Sequence, residues 1–142
     1  MTSTITTRAA GAETSPPFGP IRQIDAGLLN VGFAEAGPAD GPAVVLLHGW
    51  PYDIHSYAEV APLLAAEGYR VIVPYLRGYG TTRFRDHETF RNGQPSALAL
   101  DAVALMDALE IQKALIAGFD WARGRPTSLR RCGQSAARAS SR

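Results

Sequence analysis

Short, largely apolar runs of strand length alternate with longer amphipathic stretches along the middle of the chain. Ala43–Leu47, Arg70–Val73 and Lys113–Ala117 have the pattern of strands that are buried on both faces of a parallel sheet. Apolar residues at helical spacing predict a helix over Ser96–Glu110. This alternation predicts βαβ units and an α/β fold with helices on both faces of the sheet.

Two further segments complete the predicted strands and loops. Ile21–Ile24 and Leu28–Phe33 are β-prone runs on either side of an Asp-Ala-Gly turn, which predicts a hairpin. The stretch Arg77–Pro95 is rich in polar residues and contains an Asn-Gly pair, so it is expected to be a polar loop.

A second helix is expected just after the Ala43–Leu47 strand. Ser56 and Glu59 have the spacing of a capping box, and Gly68 suits the left-handed position after the last turn. Pro62 lies inside this helix, where its ring is expected to bend the helix or to open its main body.

Three polar or glycine-rich motifs follow three of the predicted strands. They occupy residues 48–51 (His-Gly-Trp-Pro), 77–82 (Arg-Gly-Tyr-Gly-Thr-Thr) and 118–121 (Gly-Phe-Asp-Trp). Ligand sites in open α/β sheets gather outside the carboxyl ends of the strands, so the motifs are expected to share one site. Around the third motif the small residues Gly118 and Ala122 lie two positions before and two positions after Asp120, as a nucleophile on a sharp strand-to-helix turn requires. The alternative is that Asp120 is a helix N-cap.

The three motifs resemble those of the α/β-hydrolase superfamily, and within it the epoxide hydrolases and haloalkane dehalogenases. Those enzymes carry His-Gly-x-Pro after the third strand and Gly-x-Asp-Trp at the nucleophile turn, and epoxide hydrolases also carry a Gly-x-small-x-Ser/Thr motif like Gly78–Thr82. The resemblance covers about residues 20–121. It implies an α/β-hydrolase fold that is truncated after the nucleophile elbow, with about five strands of an eight-stranded sheet.

The resemblance also implies a role for each motif. Asp120 would be a carboxylate nucleophile that forms an ester with an electrophilic carbon, and the backbone N–H groups of Trp50 and Trp121 would form the oxyanion hole. An epoxide or an alkyl halide would be the small-molecule substrate, and no cofactor or metal is implied. The supporting motif positions are His48, Gly49, Pro51, Gly78, Gly80 and Gly118.

Several of these residues have a second interpretation. The indole N–H groups of Trp50 and Trp121 could hold a halide, as in a dehalogenase, or both side chains could simply pack. His48 is expected to shape the loop rather than to act in catalysis, and His55 and His87 are expected on the surface.

Composition and charge argue against a membrane-spanning protein and against a nucleic-acid-binding protein. The chain has 142 residues, 46% of them hydrophobic, a formal net charge of +1 and one cysteine, Cys132. No apolar run approaches the length of a membrane span, and residues 1–19 are expected to be a disordered leader of a cytoplasmic protein. The arginines near residues 83–91 are expected to belong to a solvated loop rather than to a nucleic-acid site, because the part of the chain before the tail has a net negative charge.

A charge step marks the end of the resemblance. Residues 1–121 carry 8 Lys or Arg and 13 Asp or Glu, whereas residues 122–142 carry 6 Arg and no acid. The tail has one large aliphatic side chain, Leu129, and no Asp, Glu or His follows Asp120, so the nucleophile–acid–His triad cannot be completed within these residues. The tail is expected to be disordered. The strand Lys113–Ala117 is then expected to be a bare sheet edge with one uncovered face. Catalytic turnover is expected to be absent.

A frameshift would explain this tail. With GC-rich codons, one base inserted after the Trp121 codon rereads the tail as Trp-Gly-Ala-Arg-Pro-Ala-Asp-Ile-Val-Ala-Ala-Leu-Trp-Pro-Glu. This reading places the small Gly of the nucleophile elbow after the tryptophan and then gives an amphipathic helix of the kind that the resemblance implies there. The alternative is a genuine disordered basic tail, and the coding DNA across the Trp121 codon distinguishes the two. For the function of the chain, the alternative to a hydrolase is a non-catalytic fragment, in which Asp120→Asn would change nothing.

Overall fold

The computed structural model describes residues 18–120 and 127–130. These residues form seven strands and two α-helices, and a short 3-10 helix, Ile54–Tyr57, precedes the first α-helix. In chain order the elements are β1 (Arg22–Ala26), β2 (Leu29–Ala36), β3 (Ala43–Leu47), α1 (Val60–Ala66), β4 (Arg70–Pro74), β5 (Arg83–Phe84), α2 (Pro95–Ala108), β6 (Lys113–Gly118) and β7 (Thr127–Arg130).

The strands form one mixed sheet in the order β1-β2-β4-β3-β6-β7, with β5 paired to β2. The predicted hairpin is confirmed as the antiparallel pair β1–β2, and β2 continues antiparallel to β4. The strands β4, β3 and β6 are parallel to one another, as the alternating pattern predicts. Their carboxyl ends therefore lie at one edge of the sheet, where the three motifs begin.

Alternate residues of the central strand β3 face two separate cores. Val45 and Leu47 belong to the cluster that packs against α2, whereas Val44 and Leu46 belong to the cluster under α1 and the 3-10 helix. A strand whose side chains are buried on both faces reads as a continuous apolar run, which explains why the sequence pattern identified β3 with its bounds.

The helix expected over Ser56–Gly68 is split in two. The carboxylate of Asp53 accepts the N–H of His55 at 2.9 Å and caps the 3-10 helix, whereas Glu59 precedes α1 without a side-chain capping bond. The predicted capping box is therefore wrong. Pro62 lies in the first turn of α1, where its missing N–H costs no helical bond. Gly68 has φ +91°, as expected for its position after the helix.

The sheet edge beyond β6 also differs from the expectation. Within the segment expected to be disordered, residues 127–130 form β7, which pairs antiparallel with β6 and brings Ala114 opposite Leu129. The prediction of a bare edge is therefore wrong. Leu115, on the face of β6 away from α2, remains 46% exposed, as expected for a strand face without a covering helix.

An ion pair fixes the loop after β4 to α2. Both Nε and Nη2 of Arg77 donate to the carboxylate of Asp101 at 2.7 Å, and Nη1 donates to the carbonyl of Asn92 at 2.6 Å. The Arg77 side chain is 9% exposed and that of Asp101 is 17% exposed. The predicted polar loop is therefore held in place, and its residues Arg83–Phe84 form β5.

We expect Arg77→Ala to lower the free energy of unfolding by about 3 kcal/mol, because it leaves a mostly buried carboxylate without its partner. Arg85→Ala is the matched control: its pair with Asp25 spans 3.5 Å between side chains that are more than half exposed, so the expected loss is below about 1 kcal/mol. Urea unfolding measures both losses. Equal losses would contradict the assignment of Arg77 as the anchor of this loop.

Candidate active site

Asp120 lies on a sharp turn two residues after the end of β6. Its φ is +57°, in the left-handed region that side chains rarely adopt. A helix N-cap has extended backbone angles, so this φ argues against the alternative interpretation of Asp120 as an N-cap. It agrees with the strained turn that the small residues around Asp120 predict. The side chain is exposed at the carboxyl edge of the sheet.

The loop after β3 contacts this turn directly. The backbone N–H of Trp50 donates to Oδ2 of Asp120 at 3.1 Å. A Cβ atom on Gly49 would lie 2.6 Å from the Cβ of Asp120 and 2.9 Å from the carbonyl oxygen of Phe119. Glycine at position 49 therefore allows the two loops to approach, and Pro51 follows Trp50 through a cis peptide bond.

His48 lies beneath this loop and is fully buried. Its Nε2 accepts the backbone N–H of Leu76 at 3.1 Å, so Nδ1 carries the proton and points to the carbonyl oxygen of Gly49, 3.4 Å away. Burial lowers the pKa of His48, although the bond to Gly49 opposes this shift. The ring is therefore a neutral link between the loops after β3 and β4, as expected for a residue that shapes the loop.

The glycine motif after β4 supports His48 from the other side. Gly78 and Gly80 have φ of +83° and +47°, and a Cβ on Gly80 would collide with the ring of Tyr75. The turn brings the ring of Tyr79 edge-on to His48, with 4.7 Å between centroids. Burial and the negative charge of Asp120 both raise the pKa of Tyr79.

Thr82 closes the same motif through two hydrogen bonds. Its buried hydroxyl donates to the carbonyl of Tyr75 at 2.8 Å and accepts the N–H of Gly32 at 3.0 Å. The Ser/Thr at the end of the motif therefore ties the turn to β2. The motif itself identifies this residue, but its partner Gly32 lies 50 positions away and has no signal in the sequence.

An aromatic cluster beside Asp120 was missed at the level of sequence. Phe119 lies 6.1 Å from Tyr52 and 6.0 Å from Tyr57, centroid to centroid. The hydroxyl of Tyr57 donates to the carbonyl of Leu47 at 2.9 Å, and burial raises the pKa of Tyr57 to about 12. The need of a buried tyrosine for a hydroxyl partner is the one signal in the sequence that could have indicated this contact.

Two of the predicted positions lie outside the described residues. Trp121, the second expected N–H donor, and Ala122, the small residue after it, are among them. Gly118 ends β6 at the predicted place. Within residues 18–120 and 127–130, no cluster of His, Cys, Asp and Glu is arranged to hold a metal ion. In the same part of the chain, no helix has the length and apolar character to span a membrane.

The profile of the family described as alpha/beta hydrolase fold matches residues 42–122. The chain belongs to this family. The matched range contains β3, β4, β6 and the three motifs, so the matching part of this α/β-hydrolase is the part that builds the candidate site. Its homologues are named as hydrolases, and the sequence-based assignment to an α/β-hydrolase fold is confirmed.

Named relatives include epoxide hydrolases and a dehalogenase. Over 82 residues the chain is 38% identical to epoxide hydrolase B of Mycobacterium tuberculosis, covering 57% of this chain and 22% of the relative. It is 44% identical over 68 residues to a haloalkane dehalogenase of Mycobacterium marinum, and this match covers 45% of this chain and 23% of the relative. A crystal structure of a Klebsiella pneumoniae protein assigned as an epoxide hydrolase has 66% identity and a TM-score of 0.73, covering 77% of this chain and 36% of that one. This α/β-hydrolase chain therefore spans about a quarter to a third of the length of such proteins.

The burial of His48 predicts a pH dependence of stability. Because its pKa is lower in the folded than in the unfolded chain, the unfolded chain binds the proton more readily. The free energy of unfolding should therefore fall as the pH is lowered through about 6.5, the ordinary pKa of histidine. We expect His48→Gln to flatten this fall between about pH 7.5 and 5.5 and His87→Gln, at an exposed loop position, to leave it intact. Urea unfolding across this range is the measurement, and an unchanged slope in His48→Gln would refute the prediction.

Proposed function

We propose that the chain carries the ester-forming half of an epoxide hydrolase, with Asp120 as the nucleophile. The observation that supports this most strongly is the bond between the Trp50 N–H and Asp120 Oδ2 at a residue with φ +57°. A carboxylate on a strained turn, oriented by a backbone donor, is suited to attack an electrophilic carbon. The named relatives support an epoxide or an alkyl halide as the electrophile.

The first step can be assigned to particular atoms. Oδ2 of Asp120 accepts the Trp50 N–H, which leaves Oδ1 as the attacking oxygen. Oδ1 forms a bond to an epoxide carbon, the bond from that carbon to the epoxide oxygen breaks, and the resulting alkoxide takes a proton from water, which leaves as hydroxide. The product is a hydroxyalkyl ester of Asp120 that contains every atom of the epoxide. No cofactor enters this balance.

Release of the product requires water to attack the ester. The N–H of Trp50 would then stabilise the oxyanion that forms on Oδ2, and one such donor is typically worth a factor of about 10²–10³ in rate. The attacking water also needs a general base, and no His, Asp or Glu follows Asp120 in the sequence. We therefore expect the 142-residue chain to form one ester and to hold it, so that a stable adduct replaces turnover.

A dehalogenase is the second candidate, supported by the relatives named for that activity and by the 64% exposure of Trp50 next to Asp120. With an alkyl halide, Oδ1 forms the same bond to carbon, but the carbon–halogen bond breaks and halide leaves. The two candidates therefore differ in the mass of the adduct. An epoxide adds its full mass, whereas an alkyl halide adds its alkyl group and releases one halide ion for each ester.

The nucleophile is tested by intact-mass spectrometry after incubation with styrene oxide. The background is Cys132→Ser, because the thiol of Cys132 can also be alkylated. We expect one adduct per chain, its loss in Asp120→Asn, and its retention in Asp40→Asn, which changes an exposed loop carboxylate. An adduct that forms equally in Asp120→Asn would contradict the proposal, and so would sustained diol production by the unmodified chain.

The donor is tested by a pair of glycine substitutions. Gly49→Ala places a methyl group against Asp120 and Phe119, so it should displace the Trp50 N–H and slow adduct formation by at least about tenfold. Gly68→Ala, after α1 and outside the three motifs, is the matched control: no atom lies within 4 Å of its added Cβ, and the strain of its left-handed φ costs only about 1–2 kcal/mol of stability. Equal adduct rates in the two variants would show that the close approach at Gly49 has no role in the reaction.

A further inference from the structure

Two large aromatic side chains remain exposed beside Asp120. Trp50 is 64% exposed and Tyr52 is 61% exposed, and both lie in the loop whose backbone is bonded to the Asp120 carboxylate. The exposed aromatic residue Phe90, by contrast, lies in the loop between β5 and α2, outside the three motifs. Exposed aromatic rings next to a reactive group point to a bound ligand rather than to the packing of the core.

The ring of Tyr52 is held by contacts that reach back to the sheet. Tyr52 meets Phe119 edge-on, with an angle of 65° between the ring planes, and Phe119 immediately precedes Asp120. On its other side Phe119 contacts Tyr57, whose hydroxyl is bonded to the carbonyl of Leu47 at the end of β3. The position of Tyr52 relative to the carboxylate is therefore fixed before any ligand binds, which reduces the entropy lost on binding.

We propose that Trp50 and Tyr52 form an aryl-binding surface, and that this surface makes Asp120 react preferentially with electrophiles that carry an aromatic ring close to the reactive carbon. The inference rests on the proposed ester formation at Asp120. Aromatic pairs in offset or edge-to-face geometry gain more than their apolar area alone provides. A saturated ring of the same size gains the area only. The aryl-binding surface should therefore favour the aromatic compound by about 2- to 10-fold.

The test is a competition between benzyloxirane and cyclohexylmethyl-oxirane in the Cys132→Ser background. A methylene group separates the ring from the epoxide in both compounds, so the reacting carbons have nearly the same intrinsic reactivity. Both compounds compete in one sample, and intact-mass spectrometry gives the ratio of the two adducts. This ratio does not depend on the fraction of chain that is folded, so a variant that folds poorly still reports on preference.

Three variants decide whether Tyr52 sets the preference. Tyr52→Leu keeps an apolar side chain but removes the ring, and it should lower the aryl-to-cyclohexyl ratio towards one, with Trp50 accounting for any remaining preference. Tyr52→Phe restores the ring without the hydroxyl and should restore the ratio. Phe90→Leu, at an exposed aromatic position outside the three motifs, should leave the ratio as it is in the parent chain.

The possible outcomes separate this inference from the proposed function. Adducts of both epoxides in equal amounts, or a ratio that Tyr52→Leu and Phe90→Leu change alike, would overturn the aryl-binding surface while ester formation at Asp120 stands. Absence of any adduct at Asp120 would overturn the proposed function and this inference with it.

Discussion

The hydrogen bond from the Trp50 N–H to Asp120 Oδ2 depends on the register of two parallel strands. In the pairing of β3 with β6, Leu47 lies beside Gly118, so the loop three residues after one strand meets the turn two residues after the other. A shift of register by a single residue would turn the side chains of a strand to the opposite face. The apolar residues of β3, divided between two cores, fix this register and thereby place the carboxylate against its donor.

The residues around this bond act by position rather than by charge. Neutral His48 links the loops after β3 and β4, and Thr82 ties the second of these loops to β2. Gly49 leaves the space that the side chain of Asp120 occupies. The positive φ of Asp120 is a local strain that such surroundings must outweigh, and buried hydrogen bonds with fixed geometry can do so.

The sequence predicted those parts of the structure that have a local pattern. The bounds of β3 follow from a continuous apolar run. The turn at Asp120 follows from the small residues Gly118 and Ala122, two positions before and after it. β5 and β7 were missed because each is defined by its pairing: two residues of a polar loop lie against β2, and residues 127–130 lie against the edge of β6. The space at Gly49 and the bond from Tyr57 to Leu47 depend on distances between residues far apart in the chain, which no single segment encodes.

We propose, in sum, that the carboxyl group of Asp120 is positioned to be esterified. The most direct measurement is to digest the chain after reaction with styrene oxide and to locate the adduct by tandem mass spectrometry. The account predicts a hydroxylamine-labile adduct on the peptide that contains Asp120, at the carboxyl group of that residue. An adduct on the thiol of Cys132 or on the ring of His55, with an unmodified Asp120, would contradict it.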